Sequence, residues 1–247
     1  MLQEQERWIR RFHPVVDAPV ELVCFAHAGG SAAYWFALSG RLTPDVEVLA
    51  VQYPGRQERH REAPFTRLHS LADHIAATLP PGRPRIFLGH SMGASLAYEV
   101  AARLARTPGG GPAALLLSGR RPPSRHRADT DRLVDDRALV AKVRSLGGTG
   151  AGLLDDHEML GLVLPVLRGD YRALATYEPT AGTPVSCPVV GLAGSGDPEA
   201  PPEDMAAWAA HTTGAFELRT YSGGHFFLTE NFASVAELVH ELLPLPA

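Results

Sequence analysis

Little in this chain takes it outside ordinary aqueous folding. Cysteine is nearly missing: Cys24 and Cys187 are the only two in 247 residues, each in a short apolar run that reads as a strand. They fit small buried hydrophobes better than a disulfide. Long apolar runs are missing as well, since none approaches the roughly 18 residues that a bilayer-crossing helix needs. The opening MLQEQERWIRR is too polar for a secretory signal, so the cytoplasm is the expected compartment and no membrane partner is expected. Lysine is almost absent: Lys142 stands alone among 23 lysines and arginines, a skew that fits a GC-rich coding sequence. With a net charge of −4 there is no global electrostatic reason to bind nucleic acid.

What is present is an alternation of short apolar runs with helical spacings, the pattern of strand–helix–strand units around a parallel sheet. VELVCFA (20–26), VEVLAVQ (46–52), RIFLGH (85–90), AALLLSG (113–119), PVVGLAG (188–194) and FELRTYSG (216–223) are predicted strands. Leu68, Leu71, Ile75 and Leu79 recur at helical spacing, as do Leu96, Val100 and Leu104, and ASVAELVHELL (233–243) predicts a last helix. The length suits one α/β domain over 1–247. Between about 122 and 183 no strand is predicted, only two helical patterns, the second with Pro165 inside; proline-rich joints flank the stretch, as a helical cap over the sheet would require. GGTGAG (147–152) has neither the preceding strand nor the following Lys-Ser/Thr of a phosphate loop and reads as a hinge. RGD at 168–170 falls inside a helix pattern and reads as chance.

The chemistry gathers at FLGHSMGASLAYEV (87–100), where Gly89, Ser91 and Gly93 fit G-x-S-x-G at the passage from a strand to a helix. A sharp turn there strains the serine backbone, and glycines on both sides remove Cβ clashes, so a hydroxyl is lifted above the sheet. Serine needs a base, and the base an orienting carboxylate. In the chain order that this turn implies, Asp197 follows a later strand and His225 follows the last one, freed by two glycines. Asp204, Glu203 and Glu199 are rival carboxylates, the first two falling inside the next helix. The oxyanion donors expected are the backbone N–H groups of Met92, directly after the serine, and of Ala28 in FAHAGGSAAYW (25–35), where Gly29 and Gly30 allow close approach. No metal-ligand spacing links His27, His90 and His225, so no metal is expected.

Taken together, FAHAGGSA, YPGRQER (53–59), GHSMGA, VLRGDYRALATY (166–177), AGSGDP and SGGHFF resemble, in order and spacing over nearly the whole chain, the stand-alone type II thioesterases of polyketide and nonribosomal peptide pathways. The resemblance implies the α/β-hydrolase fold, a mostly parallel sheet flanked by helices with a helical lid insertion. It implies hydrolysis of acyl groups from the phosphopantetheine arm of an acyl carrier protein or peptidyl carrier protein, clearing mis-primed or stalled chains with no cofactor. It casts Ser91 as nucleophile, His225 as base, Asp197 as its orienter, and Ala28 and Met92 as the oxyanion hole. Two positions depart from the family pattern: Ala26 stands where proline is more usual and Gly169 where alanine is.

An acidic carrier calls for a basic rim, for which RRPPSRHR (120–127), with Arg120 and Arg121, and GRQERHR (55–61) are candidates. His27, Trp35 and Phe226 are candidate acyl-pocket residues. A chain-releasing thioesterase or small-ester esterase on the same fold, and a catalytically silent binding protein, are the competing readings. The start at Met1 without an attached carrier domain favours a free-standing enzyme.

Overall fold

The computed structural model describes residues 2–79, 82–107, 110–126, 135–147, 157–179 and 184–243. Its sheet has seven strands: β1 (Ile9–Arg10), β2 (Val20–Phe25), β3 (Val46–Val51), β4 (Arg85–His90), β5 (Ala114–Ser118), β6 (Val189–Gly194) and β7 (Phe216–Tyr221), in the order β1-β3-β2-β4-β5-β6-β7. All neighbours are parallel except β1, which pairs antiparallel with β3.

The mostly apolar central strands follow from this arrangement, because helices cover both faces of the sheet there, whereas the edge strand β7 (FELRTY) stays partly exposed. Successive residues alternate between two cores. Val23, Phe25, Leu49, Phe87 and Leu115 point to one layer, where α3 (Leu68–Thr78) and α4 (Met92–Leu104) pack. Leu22, Cys24, Val48, Leu88 and Leu116 point to the other, against α2 (Phe36–Leu42) and the C-terminal helix Phe232–Glu241. Cys24 is fully buried in β2, whereas Cys187 lies two residues before β6 and is half-buried, with no disulfide between them.

Among the described residues, the stretch between β5 and β6 carries two α-helices, a 3₁₀ turn at Pro123–Arg125 and no strand. α5 (Asp136–Leu146) begins at Asp135, whose carboxylate accepts the Ala138 N–H at 2.8 Å, the usual way to satisfy a first-turn donor. α6 (His157–Ala175) contains Pro165. Leu139, Leu167 and Tyr171 from these helices form a small third cluster against Ala28, so the two helices rest over the C-terminal end of β2. Most of the glycine run at 147–152 lies outside the described residues. Gly169 has a steric reason: a Cβ there would sit 2.9 Å from the ring carbons of Pro64.

Candidate active site

β4 ends at His90 and α4 begins at Met92, leaving Ser91 alone between them with φ 54° and ψ −119°. A serine rarely adopts such angles, at a cost of roughly 1–3 kcal/mol. The surroundings hold it there. A Cβ on Gly89 would lie 2.1 Å from the Gly93 carbonyl oxygen, and one on Gly93 would lie 2.0 Å from that of Phe25, so both glycines are dictated by backbone approach. The Ser91 N–H donates to the Ser118 carbonyl at 2.8 Å, fixing the turn to β5.

The loops after β6 and β7 are tied to each other by Ser195 N–H to the Tyr221 carbonyl (2.8 Å) and Gly196 N–H to that of Gly223 (2.9 Å). They carry Asp197 and His225, both nearly fully buried. His225 Nε2 lies 3.1 Å from Ser91 Oγ, and its Nδ1 lies 2.9 Å from Asp197 Oδ2. The other Asp197 oxygen accepts the Glu199 N–H at 2.9 Å. Of the rival carboxylates, Asp204 accepts Arg121 Nε at 2.6 Å, Glu199 accepts Lys142 Nζ at 2.5 Å, and Glu203 is exposed. The structure thus brings Ser91, His225 and Asp197 into one hydrogen-bonded line, an arrangement able to draw a proton from a hydroxyl and return it to a leaving group.

Two further imidazoles stand close by. His90 packs 5.2 Å from the His225 ring and His27 lies 6.0 Å from His90, centroid to centroid. Burial first, and then the nearby His225, lowers His27 to about 3 and holds His90 well below the ordinary histidine range. Both are neutral at pH 7 and add no positive charge beside the relay. Among the described residues no group of three or more His, Cys, Asp or Glu side chains is arranged to hold a metal ion.

A solvent-open cleft of about 500 Å³ adjoins the serine, bounded by Ala28, Ser91 and His225 from the sheet edge and by Leu146, Tyr171 and Leu174 from α5 and α6. Arg120, Arg121, Lys142 and Glu199 also line it. Met92 is the first residue of α4, where helix N–H groups lack intrahelical partners. His27 and Phe226 meet edge to face at 4.9 Å, and Phe226 lies 5.3 Å from the His225 ring; both sit beside the relay, and neither lines the cleft.

Trp35 is elsewhere. The 3₁₀ turn at Ala32–Trp35 aims it into the opposite core, fully buried among Leu38, Leu42 and Phe232, so it serves packing there and not the cleft. GRQERHR also differs from the basic rim expected of it. Arg56 and Arg59 are buried: Arg59 donates to the Gln52 carbonyl at 2.8 Å and stacks on Trp8 at 4.3 Å, while Arg56 pairs with Asp170. Two residues at or near the site went unrecognised in the sequence, Lys142 and Asp170, while Glu199 and Arg56 were singled out there for other roles, as a rival orienter and as part of a basic rim. The only signal for Asp170 was its place in a recurring motif.

A family model described as a thioesterase domain matches residues 20–243. The chain is 47% identical over 243 residues to the thioesterase PikA5 of Streptomyces venezuelae, covering 96% of this chain and 85% of that protein. Among solved structures, the type II thioesterase BorB from the borrelidin biosynthetic cluster aligns with a TM-score of 0.89 at 40% identity, covering 97% of this chain and 98% of BorB. The RedJ thioesterase from the prodiginine pathway of Streptomyces coelicolor aligns with a TM-score of 0.85 at 36% identity, covering 92% and 91%. The chain therefore belongs to the thioesterase family, as a type II thioesterase and serine hydrolase built on the α/β-hydrolase fold.

Proposed function

We propose that the enzyme hydrolyses acyl groups from the phosphopantetheine arm of an acyl or peptidyl carrier protein, clearing aberrant or stalled chains through an acyl-serine at Ser91. The observation that carries this reading is the Ser91–His225–Asp197 line, which opens into a cleft bordered by two helices. Relatives from the borrelidin and prodiginine pathways support a carrier-borne substrate.

His225 Nε2 accepts the Ser91 proton as Oγ attacks the thioester carbonyl, while Asp197 holds the imidazole by Nδ1. The N–H groups of Met92 and Ala28 receive the developing oxyanion; losing one such donor costs about 3–4 kcal/mol of transition-state stabilisation. His225 passes its proton to the leaving pantetheine thiolate, then activates a water that releases the acid and restores the serine. The chemistry needs no cofactor. Residues 122–183 serve as the lid of a single domain, whose Leu146, Tyr171 and Leu174 contact the acyl chain. No helix among the described residues is long and apolar enough to cross a membrane, which suits an enzyme that meets carriers in the cytoplasm.

The test is a hydrolysis panel of acetyl, propionyl, malonyl and longer acyl groups on a carrier protein, on coenzyme A and as p-nitrophenyl esters, with Ser91→Ala as control. Preference for acyl-carriers, with kcat falling roughly 10⁴–10⁶-fold in Ser91→Ala, is expected. Faster turnover of the simple esters would replace this reading with that of an esterase.

A further inference from the structure

Asp170 and Arg56 are both almost fully buried, yet they come from distant parts of the chain: Asp170 from α6 and Arg56 from the loop after β3. They form an ion pair, and each also holds the same short loop. Asp170 Oδ2 accepts the Gly29 N–H at 2.7 Å as well as Arg56 Nη2. Arg56 Nε donates to the Gly30 carbonyl at 2.9 Å and Nη1 to that of Pro54 at 2.8 Å. Gln52 supports the loop beyond, accepting the Ala32 N–H at 2.8 Å, and the Tyr53 hydroxyl donates to the Ala26 carbonyl at 3.2 Å.

A buried ion pair is weak evidence for stability, because taking two charges out of water cancels most of their attraction. What this pair does have is direction. The Gly29 N–H belongs to the peptide unit directly after the one that carries the Ala28 N–H, so only the two dihedrals of Ala28 separate them. The Gly30 N–H to His27 carbonyl bond (3.0 Å) and the left-handed φ of 77° at Gly29 close the turn from the other side. The helix also presses on the loop: a Cβ on Gly29 would lie 2.6 Å from Leu167 Cδ2, one turn before Asp170. Tyr171 and Leu174, which line the cleft, follow on the same helix.

We propose that Arg56 and Asp170 are a positioning pair for the oxyanion hole, so that the lid helix bordering the acyl cleft also sets the orientation of the Ala28 N–H. This rests on the reading of Ala28 as an oxyanion donor given above. Neither side chain meets substrate; both act through the 28–30 backbone. The pair therefore contributes to the transition state and little to ground-state binding, which is a kcat effect.

The experiment compares wild type, Ser91→Ala, Asp170→Asn and the double variant Arg56→Met/Asp170→Leu on one acyl-pantetheine thioester. The double variant removes both charges together and so avoids leaving one buried alone. Folding is checked by thermal melting. Expected is a loss in kcat of roughly 30- to 1,000-fold, up to that of a missing oxyanion donor, with KM within about twofold of wild type. Affinity for an aliphatic trifluoromethyl ketone, whose hemiketal oxyanion occupies the hole, should fall in step with kcat/KM. The midpoint of the pH–rate profile should stay in place, because the His225–Asp197 contact is untouched. A folded double variant with kcat within threefold of wild type, or a loss confined to KM, overturns the proposal; if that variant does not fold, the same criteria apply to Asp170→Asn. Equal thioester turnover by wild type and Ser91→Ala would overturn the function proposed above instead, so the two failures are told apart.

Discussion

Ser91 and the histidines around it show how single residues are constrained at this site. His90 is fully buried, with Nδ1 3.0 Å from Ser118 Oγ, and burial keeps it from protonating in the folded state. Its folded pKa is depressed, so below about 6.5 the unfolded chain binds a proton that the folded one refuses. The stability this histidine contributes is complete above that value and is lost as pH falls toward its folded pKa. Urea unfolding between pH 7.5 and 5 should therefore show the folding free energy dropping by up to about 1.4 kcal/mol per pH unit for His90, with His27 adding to the slope. His90→Gln should flatten that slope by close to one proton; an unchanged slope would contradict the buried neutral imidazole. At this scale the sequence was informative where chemistry and spacing coincide, as for Ser91, Asp197 and His225. It misled at Trp35, because an aromatic residue near a motif looks the same whether it faces a pocket or a core. Asp170 was hidden for a related reason: a carboxylate on a helix pattern normally faces water, and only the packing of α6 on the 28–30 loop buries it.

Among the elements, α5 borders the cleft, and its Lys142 pairs with Glu199, whose N–H donates to Asp197. Both side chains keep about a fifth to a quarter of their surface in solvent, so the pair is worth at most about 1 kcal/mol. Lys142→Ala should raise hydrogen exchange of the 136–146 amides by up to about fivefold, with no change across β4 and α4; equal rates in both proteins would show that the Lys142–Glu199 pair does not hold α5. Six of the seven strands were legible: β2 to β6 are short, mostly apolar blocks that lie buried in the sheet, and the half-exposed β7 was marked by its β-branched and aromatic residues before a glycine turn. β1 was not, since two residues carry no period, and neither was α2, whose seven residues span fewer than two full turns. The helices of the 122–183 insertion were legible from their spacing, whereas their grip on the 28–30 loop depends on tertiary packing.

For the molecule as a whole, the net charge is −4, so docking of the proposed acidic carrier would rest on a local basic face. Arg120 and Arg121 both line the cleft, Arg121 pairing with Asp204 and Arg120 Nη2 lying 3.3 Å from His126 Nδ1, and carrier docking is tested at Arg120. Arg120→Ala should raise KM for an acyl-carrier substrate about three- to tenfold and leave KM for acyl-pantetheine within twofold, with the difference shrinking as salt is raised. Equal changes on both substrates would remove Arg120 from docking. The most direct measurement of the central claim is peptide mass spectrometry on enzyme quenched within milliseconds of mixing with an acyl-carrier. The account predicts an added mass equal to the acyl group on the peptide containing Ser91, decaying as free acid forms. Turnover with no acyl adduct at Ser91, or with the adduct on another residue, would contradict it.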